Sequence, residues 1–182
     1  MSVVPLKGKL LVASPTLGDA TFSRAVVLIA EHTDSGAMGL VINQPSETLV
    51  VDSVDELGRL VEDQDAVYVG GPVQAQAVMV LAEFDDPDAS AALVVGDVGF
   101  LPADADLEQL ATVTRRARVF AGHAGWGPGQ LDSELAEGAW IVVDADPGDP
   151  FREADELWRA VLARRGGPYA VLSQVPEDPS VN

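Results

Sequence analysis

The chain has 182 residues, no cysteine and a formal net charge of -18. That charge repels phosphate backbones and anionic lipid headgroups, which argues against direct nucleic-acid or membrane binding. The lack of cysteine excludes disulfides, thiolate nucleophiles and cysteine-based metal sites.

Hydrophobic residues make up 47% of the chain, enough for a sizeable core, and its length suits one domain. The expected domain covers residues 1–175, with a disordered tail over 176–182. The apolar stretch after Lys7 and Lys9 is too short for a signal peptide. No run approaches the ~18 apolar residues of a membrane span. A soluble cytoplasmic protein is expected.

Taken in chain order, residues 10–14 and 25–31 read as buried strands, because each is a short Val/Ile/Leu run. Turn chemistry at 33–36 predicts a hairpin, with 38–43 as the returning strand. Residues 51–61 suit a helix with Val54, Leu57, Leu60 and Val61 on one face. Strands are expected at 67–69 and 78–84, on either side of Gly70-Gly-Pro-Val73, whose glycines predict a close approach of two backbones. Residues 85–89 read as an acidic loop and 93–95 as a strand. A helix is expected over 104–116, a strand over 119–121, a short helix over 128–136 and a strand over 140–143. The last helix takes Asp149 as N-cap, Pro150 as first residue and Gly166 as its stop. Its apolar stripe is Ala154, Leu157, Trp158, Val161 and Leu162. Strands without steady strand–helix alternation predict α+β rather than a doubly wound parallel sheet.

The richest motif is Phe120-Ala-Gly-His-Ala-Gly-Trp-Gly-Pro-Gly-Gln-Leu131. Its glycines predict a tight turn into the helix at 128, whose N–H groups face acidic residues of its own first turns, Asp132 and Glu134. The spacing is not that of a dinucleotide fingerprint. Neither His32 nor His123 belongs to an H-E-x-x-H motif, and two histidines alone do not make a metal site. No G-x-S-x-G elbow occurs. Arg115–Arg116 and Arg164–Arg165 are expected at the C-terminal ends of helices, where they complement the dipole and leave no basic stripe for DNA.

Four blocks resemble the AlgH/YqgE family of bacterial proteins: Leu11-Val-Ala-Ser-Pro-Thr-Leu17 with Phe22-Ser-Arg-Ala-Val-Val-Leu28; Glu31-His32 with Gly36-Ala-Met-Gly-Leu-Val-Ile-Asn43; Gly70-Gly-Pro-Val73; and Ala121–Leu131 with Ala139-Trp140 and Leu157-Trp158 after it. One departure is His123, where tyrosine is common in the family. The resemblance implies an α+β fold with a mixed or antiparallel sheet bent into an irregular barrel, helices packed around it, and no established activity. Some members are labelled transcriptional regulators, a role the charge argues against here.

The leading expectation is a non-catalytic binding or regulatory protein for an unknown protein or small molecule, without cofactor, metal or catalytic residues. Its candidate binding residues are His32, Asn43, Gly122, His123, Gly125, Trp126, Gly127 and Gln130. They are expected to converge where the first hairpin meets the Gly-rich segment. The alternative is a hydrolase using His32 or His123 as base.

Overall fold

The computed structural model describes residues 5–14, 24–104 and 106–174. The tail expected to be disordered lies outside them. The chain opens with β1 (Lys9–Ala13), β2 (Val26–Thr33), β3 (Gly36–Val41) and β4 (Pro45–Leu49). A single helical turn, α1 (Val50–Ser53), and a 3-10 turn (Asp55–Arg59) lead to β5 (Ala66–Val69) and β6 (Val73–Phe84). Then come β7 (Ala92–Val95), β8 (Val98–Phe100), α2 (Leu107–Val113) and the long β9 (Thr114–Trp126). The rest is α3 (Gln130–Ala136), β10 (Trp140–Asp144), a 3-10 turn (Asp149–Phe151), α4 (Ala154–Arg165) and α5 (Pro168–Leu172).

The fold is α+β, as expected. The sheet path runs β10-β1-β2-β3-β9-β6-β8-β7, and β5 joins it against β9 with β4 beyond. All pairings are antiparallel except β5 with β9. The path does not return on itself, so the barrel-like bend stops short of closure. One core holds Leu10, Leu28, Leu40, Leu81 and Phe120 against Leu157, Trp158, Val161 and Leu162 of α4. The predicted helical stripe is therefore inward. On another face, Leu11, Val27, Ile29, Trp126 and Trp140 pack with Leu131 of α3. Val67, Val80, Phe84 and Val119 pack with Leu57 and Leu110 beside α1 and α2.

Strand β9 organises the sheet. One edge pairs with β6, and the other takes β5 at Phe120–Ala121 and β3 at Ala124–Trp126. The chain leaves β5 on one side of β9 and enters β6 on the other. It must cross β9 in the residues Gly70-Gly-Pro72, and it crosses at Gly122. A Cβ on Gly70 or Gly71 would collide with the backbone of Gly122 or His123, and one on Gly122 with the Gly71 carbonyl. The close approach predicted from Gly70-Gly71 is thus present, with Gly122 as its counterpart.

Several boundaries differ from expectation. The Gly-rich segment is mostly strand: β9 continues to Trp126, with Gly122 at φ 75, and the turn is confined to Gly127-Pro-Gly129. Cross-strand pairing with β3 overrides the low strand propensity of glycine there. Helix α2 ends at Val113, so Arg115 and Arg116 lie on β9 and not at a helix end. The helix expected over 51–61 breaks at Val54 (φ -134, ψ 79). Its β-branched residues and Gly58 favour helix poorly. Asp149 opens a 3-10 turn, and α4 starts only at Ala154, while Gly166 (φ 79) does end it. Strand β4, a polar Pro-Ser-Glu-Thr-Leu segment, carries no apolar alternation to read.

Candidate functional site

The first expected cluster forms at the β2–β3 turn. His32, Ala37 and Trp126 stand opposite one another across β2, β3 and β9, and so share a face. The His32 ring is buried. Its Nδ1 accepts the Leu6 N–H at 3.1 Å, which leaves the proton on Nε2, 3.9 Å from an Asp132 oxygen. Trp126 and Trp140 meet edge to face at 6.1 Å and both donate their indole N–H to Glu134 Oε1, at 3.1 and 2.9 Å. Gln130 donates to Glu134 Oε2 and accepts the Gly127 N–H at 3.0 Å. Glu134 is thus the hub that ties α3 to β9 and β10. A shallow groove of about 220 Å³ between Glu31, Thr33, Met38 and Trp126 is the open space here.

The remaining expected residues lie elsewhere. Asn43 staples the other end of the hairpin: its Oδ1 accepts the Val26 N–H at 2.9 Å and its Nδ2 donates to the Arg24 carbonyl at 3.0 Å. Strand β3 separates it from the His32 end by about 20 Å at strand rise. His123 follows Gly122 on β9 and alternates with Ala124 and Trp126, so its ring faces away from His32. Gly125 lies beside it on the His123 side, where a Cβ would meet Val73 at 3.6 Å. The histidines therefore occupy opposite faces of the sheet. His123 Nδ1 is buried without a hydrogen-bond partner. Among the described residues, it is the one buried side-chain polar atom left unpaired. Among the described residues, no group of three His, Asp or Glu side chains is arranged to hold a metal, and no helix is long and apolar enough to cross a membrane.

The larger concave surfaces lie around residues 54–66. An apolar trench of about 450 Å³ has walls of Val54, Leu57, Val80, Leu101 and Leu107. It abuts a cleft of about 690 Å³ carrying Asp55, Glu56, Asp63, Asp106 and Glu108, and Glu56 and Leu107 line both. Arg59 in this cleft is taken up by Glu108 at 2.6 Å. On the far side of Arg59, two adjoining clefts of about 410 and 330 Å³ run along β9 past Arg118 and Tyr68. The Arg118 guanidinium lies 4.3 Å over the Tyr68 ring and donates to the carbonyls of Pro150 and Arg152 at 2.8 and 3.0 Å. Burial lowers its pKa, opposed by Tyr68, Asp65 and Glu153.

Sequence reading missed these clefts. The helix read through Arg116 hid the alternation of Arg116, Arg118 and Phe120, a strand pattern that would have flagged β9 as a charged edge. The acidic residues flanking Arg59 carry no motif, and their junction with an apolar trench is purely tertiary.

A small α+β protein results, with an open bent sheet, a glycine crossing over its central strand and clefts at one end. The AlgH-like family matches residues 10–170, and the chain belongs to it. The UPF0301 protein SCO2948 of Streptomyces coelicolor is 41% identical over 99% of this chain and 97% of its own. A UPF0301 protein of Cytophaga hutchinsonii is 38% identical, covering 97% and 98%. The crystal structure of DIP2367 from Corynebacterium diphtheriae superposes with a TM-score of 0.86 at 29% identity, covering 96% of this chain and 94% of that one. The solution structure of AlgH from Pseudomonas aeruginosa gives 0.72 at 31% identity, covering 96% of each chain.

Proposed function

We propose that this chain is a non-catalytic binding protein that takes a basic, amphipathic segment of a partner protein. The observation that carries this reading is the junction of the apolar trench with the carboxylate cleft. Among the described residues, no cation stands within 4.0 Å of the carboxylates of Asp55, Glu56, Asp63 or Asp106. A helical segment with apolar residues at i, i+3 and i+4 would fill the trench, and its Lys or Arg residues would meet the carboxylates. A net charge of -18 steers such a partner from a distance.

The expected set around His32 and the 122–130 segment supports this reading indirectly. Most of its side-chain polar groups are spent on holding β2, β9, β10 and α3 together, His123 Nδ1 and His32 Nε2 excepted. A base for hydrolysis needs a free nitrogen near a hydroxyl; the His32 Nδ1 is engaged with Leu6, and the His123 Nδ1 has no hydroxyl within hydrogen-bond distance among the described residues.

Titration of a fluorescent basic amphipathic peptide tests the proposal. Binding is expected, at least ~10-fold weaker for Glu56→Arg and weaker as salt rises. No binding at about 100 µM peptide in low salt, or binding indifferent to Glu56→Arg, would overturn it.

A further inference from the structure

The β9 edge that faces β5 is only partly used. Strand β5 pairs with it at Phe120 and Ala121, and β3 farther along at Ala124–Trp126. Among the described residues, nothing pairs with this edge over residues 115–118, although β6 continues down the opposite edge as far as Thr114. The Ala121 carbonyl accepts the Gly70 N–H at 2.9 Å, so Ala121 presents its main chain to the β5 side. The β6 register is unbroken between Val78↔Ala121 and Ala82↔Ala117. By the alternation of a strand, Val119 and Ala117 therefore turn their main-chain groups to that same side. The clefts of about 330 and 410 Å³ lie along this open stretch, both lined by Ala117 and Arg118.

Charge in the clefts is uneven. Arg115 pairs with Asp85 at 2.9 Å, Arg116 with Glu83 at 3.2 Å and Arg59 with Glu108 at 2.6 Å. Arg118 alone of these four has no carboxylate within 4.0 Å among the described residues, although the chain is strongly acidic. Its two carbonyl bonds use one terminal nitrogen and fix the guanidinium plane against Tyr68. The other terminal nitrogen and Nε keep N–H groups for an incoming acceptor. Glu62, Asp65 and Glu153 on the same cleft wall disfavour a polyanion and favour a ligand that also carries a positive group.

We propose that this cleft binds an extended peptide along the open edge of β9, with the peptide main chain bonded to Ala117 and to the Val119 N–H, the Val119 carbonyl being held by β5, and a peptide carboxylate on Arg118. A peptide strand satisfies an exposed edge by β-augmentation, and a half-buried arginine with no carboxylate within 4.0 Å among the described residues is the natural anchor for a carboxylate. The site is separate from the apolar trench, which lies across Arg59, so either proposal stands without the other.

The test is amide-resolved NMR of the intact protein with an alanine tetrapeptide and its C-terminally amidated twin. The free-acid peptide is expected to shift the amides of Ala117 and Val119, and amidation to weaken binding at least ~10-fold. Arg118→Gln is expected to do the same with the basic-peptide titration unchanged; the amidated twin gives the equivalent result without any variant. A peptide blocked at both ends but carrying an internal glutamate tells the two sources of carboxylate apart. If it binds as well, the ligand is an internal acidic segment, and if not, a free C-terminus. No shift of these amides at about 10 mM peptide, equal binding of the amidated twin, or the same shifts produced by inorganic phosphate alone would overturn the proposal.

Discussion

Two single residues show how much depends on what surrounds them. Gly122 adopts φ 75 directly beneath the Gly71 carbonyl, so an added methyl meets backbone that cannot yield without moving the crossing. Gly122→Ala is expected to destabilise by more than ~2 kcal/mol in urea melts, well above the effect of a surface substitution. Tyr68 is the second case. Burial raises its phenol above its ordinary value of 10.0, and the adjacent Arg118 partly offsets this. A phenol that ionises less readily when folded adds stability that is complete below the unfolded pKa and is lost as pH rises through the raised folded value. The denaturation midpoint should therefore fall above about pH 10, and Tyr68→Phe should remove part of that fall. An identical alkaline profile in the variant would mean that another group is responsible.

At the scale of elements, α4 carries the clearest energetic claims. Trp158 is 3% exposed and its indole N–H reaches the Ala13 carbonyl at 3.3 Å, so it joins the helix to β1. Trp158→Ala is expected to cost about 3–5 kcal/mol by chemical denaturation. The last turn of α4 holds Arg164, whose guanidinium grips the fully buried Asp149 at 2.8 Å and also reaches Asp146 and the Asp144 carbonyl. Its placement at a helix end was legible from the run Leu162-Ala-Arg-Arg-Gly166, because cations and glycine both favour that position. Its partner was not, since Asp149 read as a helix cap. Arg164→Ala leaves a buried carboxylate with only the Asp146 N–H at 2.8 Å and Arg152 at 3.4 Å. A loss of about 2–3 kcal/mol is expected, below the fully buried case because Arg164 itself is part-exposed. Asp149→Asn should cost less, since it buries no uncompensated charge.

For the whole molecule, charge is the dominant property. At -18 the chain is expected not to bind duplex DNA, even though Arg115 and Arg116 sit on a strand and not at a helix end. Those arginines are neutralised by Glu83 and Asp85, so relocating them frees no basic surface. An anisotropy titration at ~50 mM salt is the generous test, and micromolar binding there would reverse this conclusion.

The periodic features of the sequence carried through to the structure. The β2–β3 hairpin, the inward stripe of α4 and the mixed α+β character rest on local hydrophobic period and turn chemistry, which neighbouring residues fix among themselves. The Gly70-Gly71 approach was legible too, because only a backbone contact explains paired glycines between two apolar runs. Its partner was not legible: Gly122 lies 51 positions later, and pairing with β3 and β6 turned the segment around it from an apparent loop into strand. For the same reason the expected site came apart. Asn43, His32 and His123 are near one another in motif order, but strand length separates the first two and strand alternation turns the last two to opposite faces. The trench, the carboxylate cleft and the open edge beside Arg118 arise where segments distant in the chain meet. Local sequence sets which face of an element is apolar; which elements share an edge, and which stretch of that edge stays unpaired, depends on long-range pairing that no short window contains.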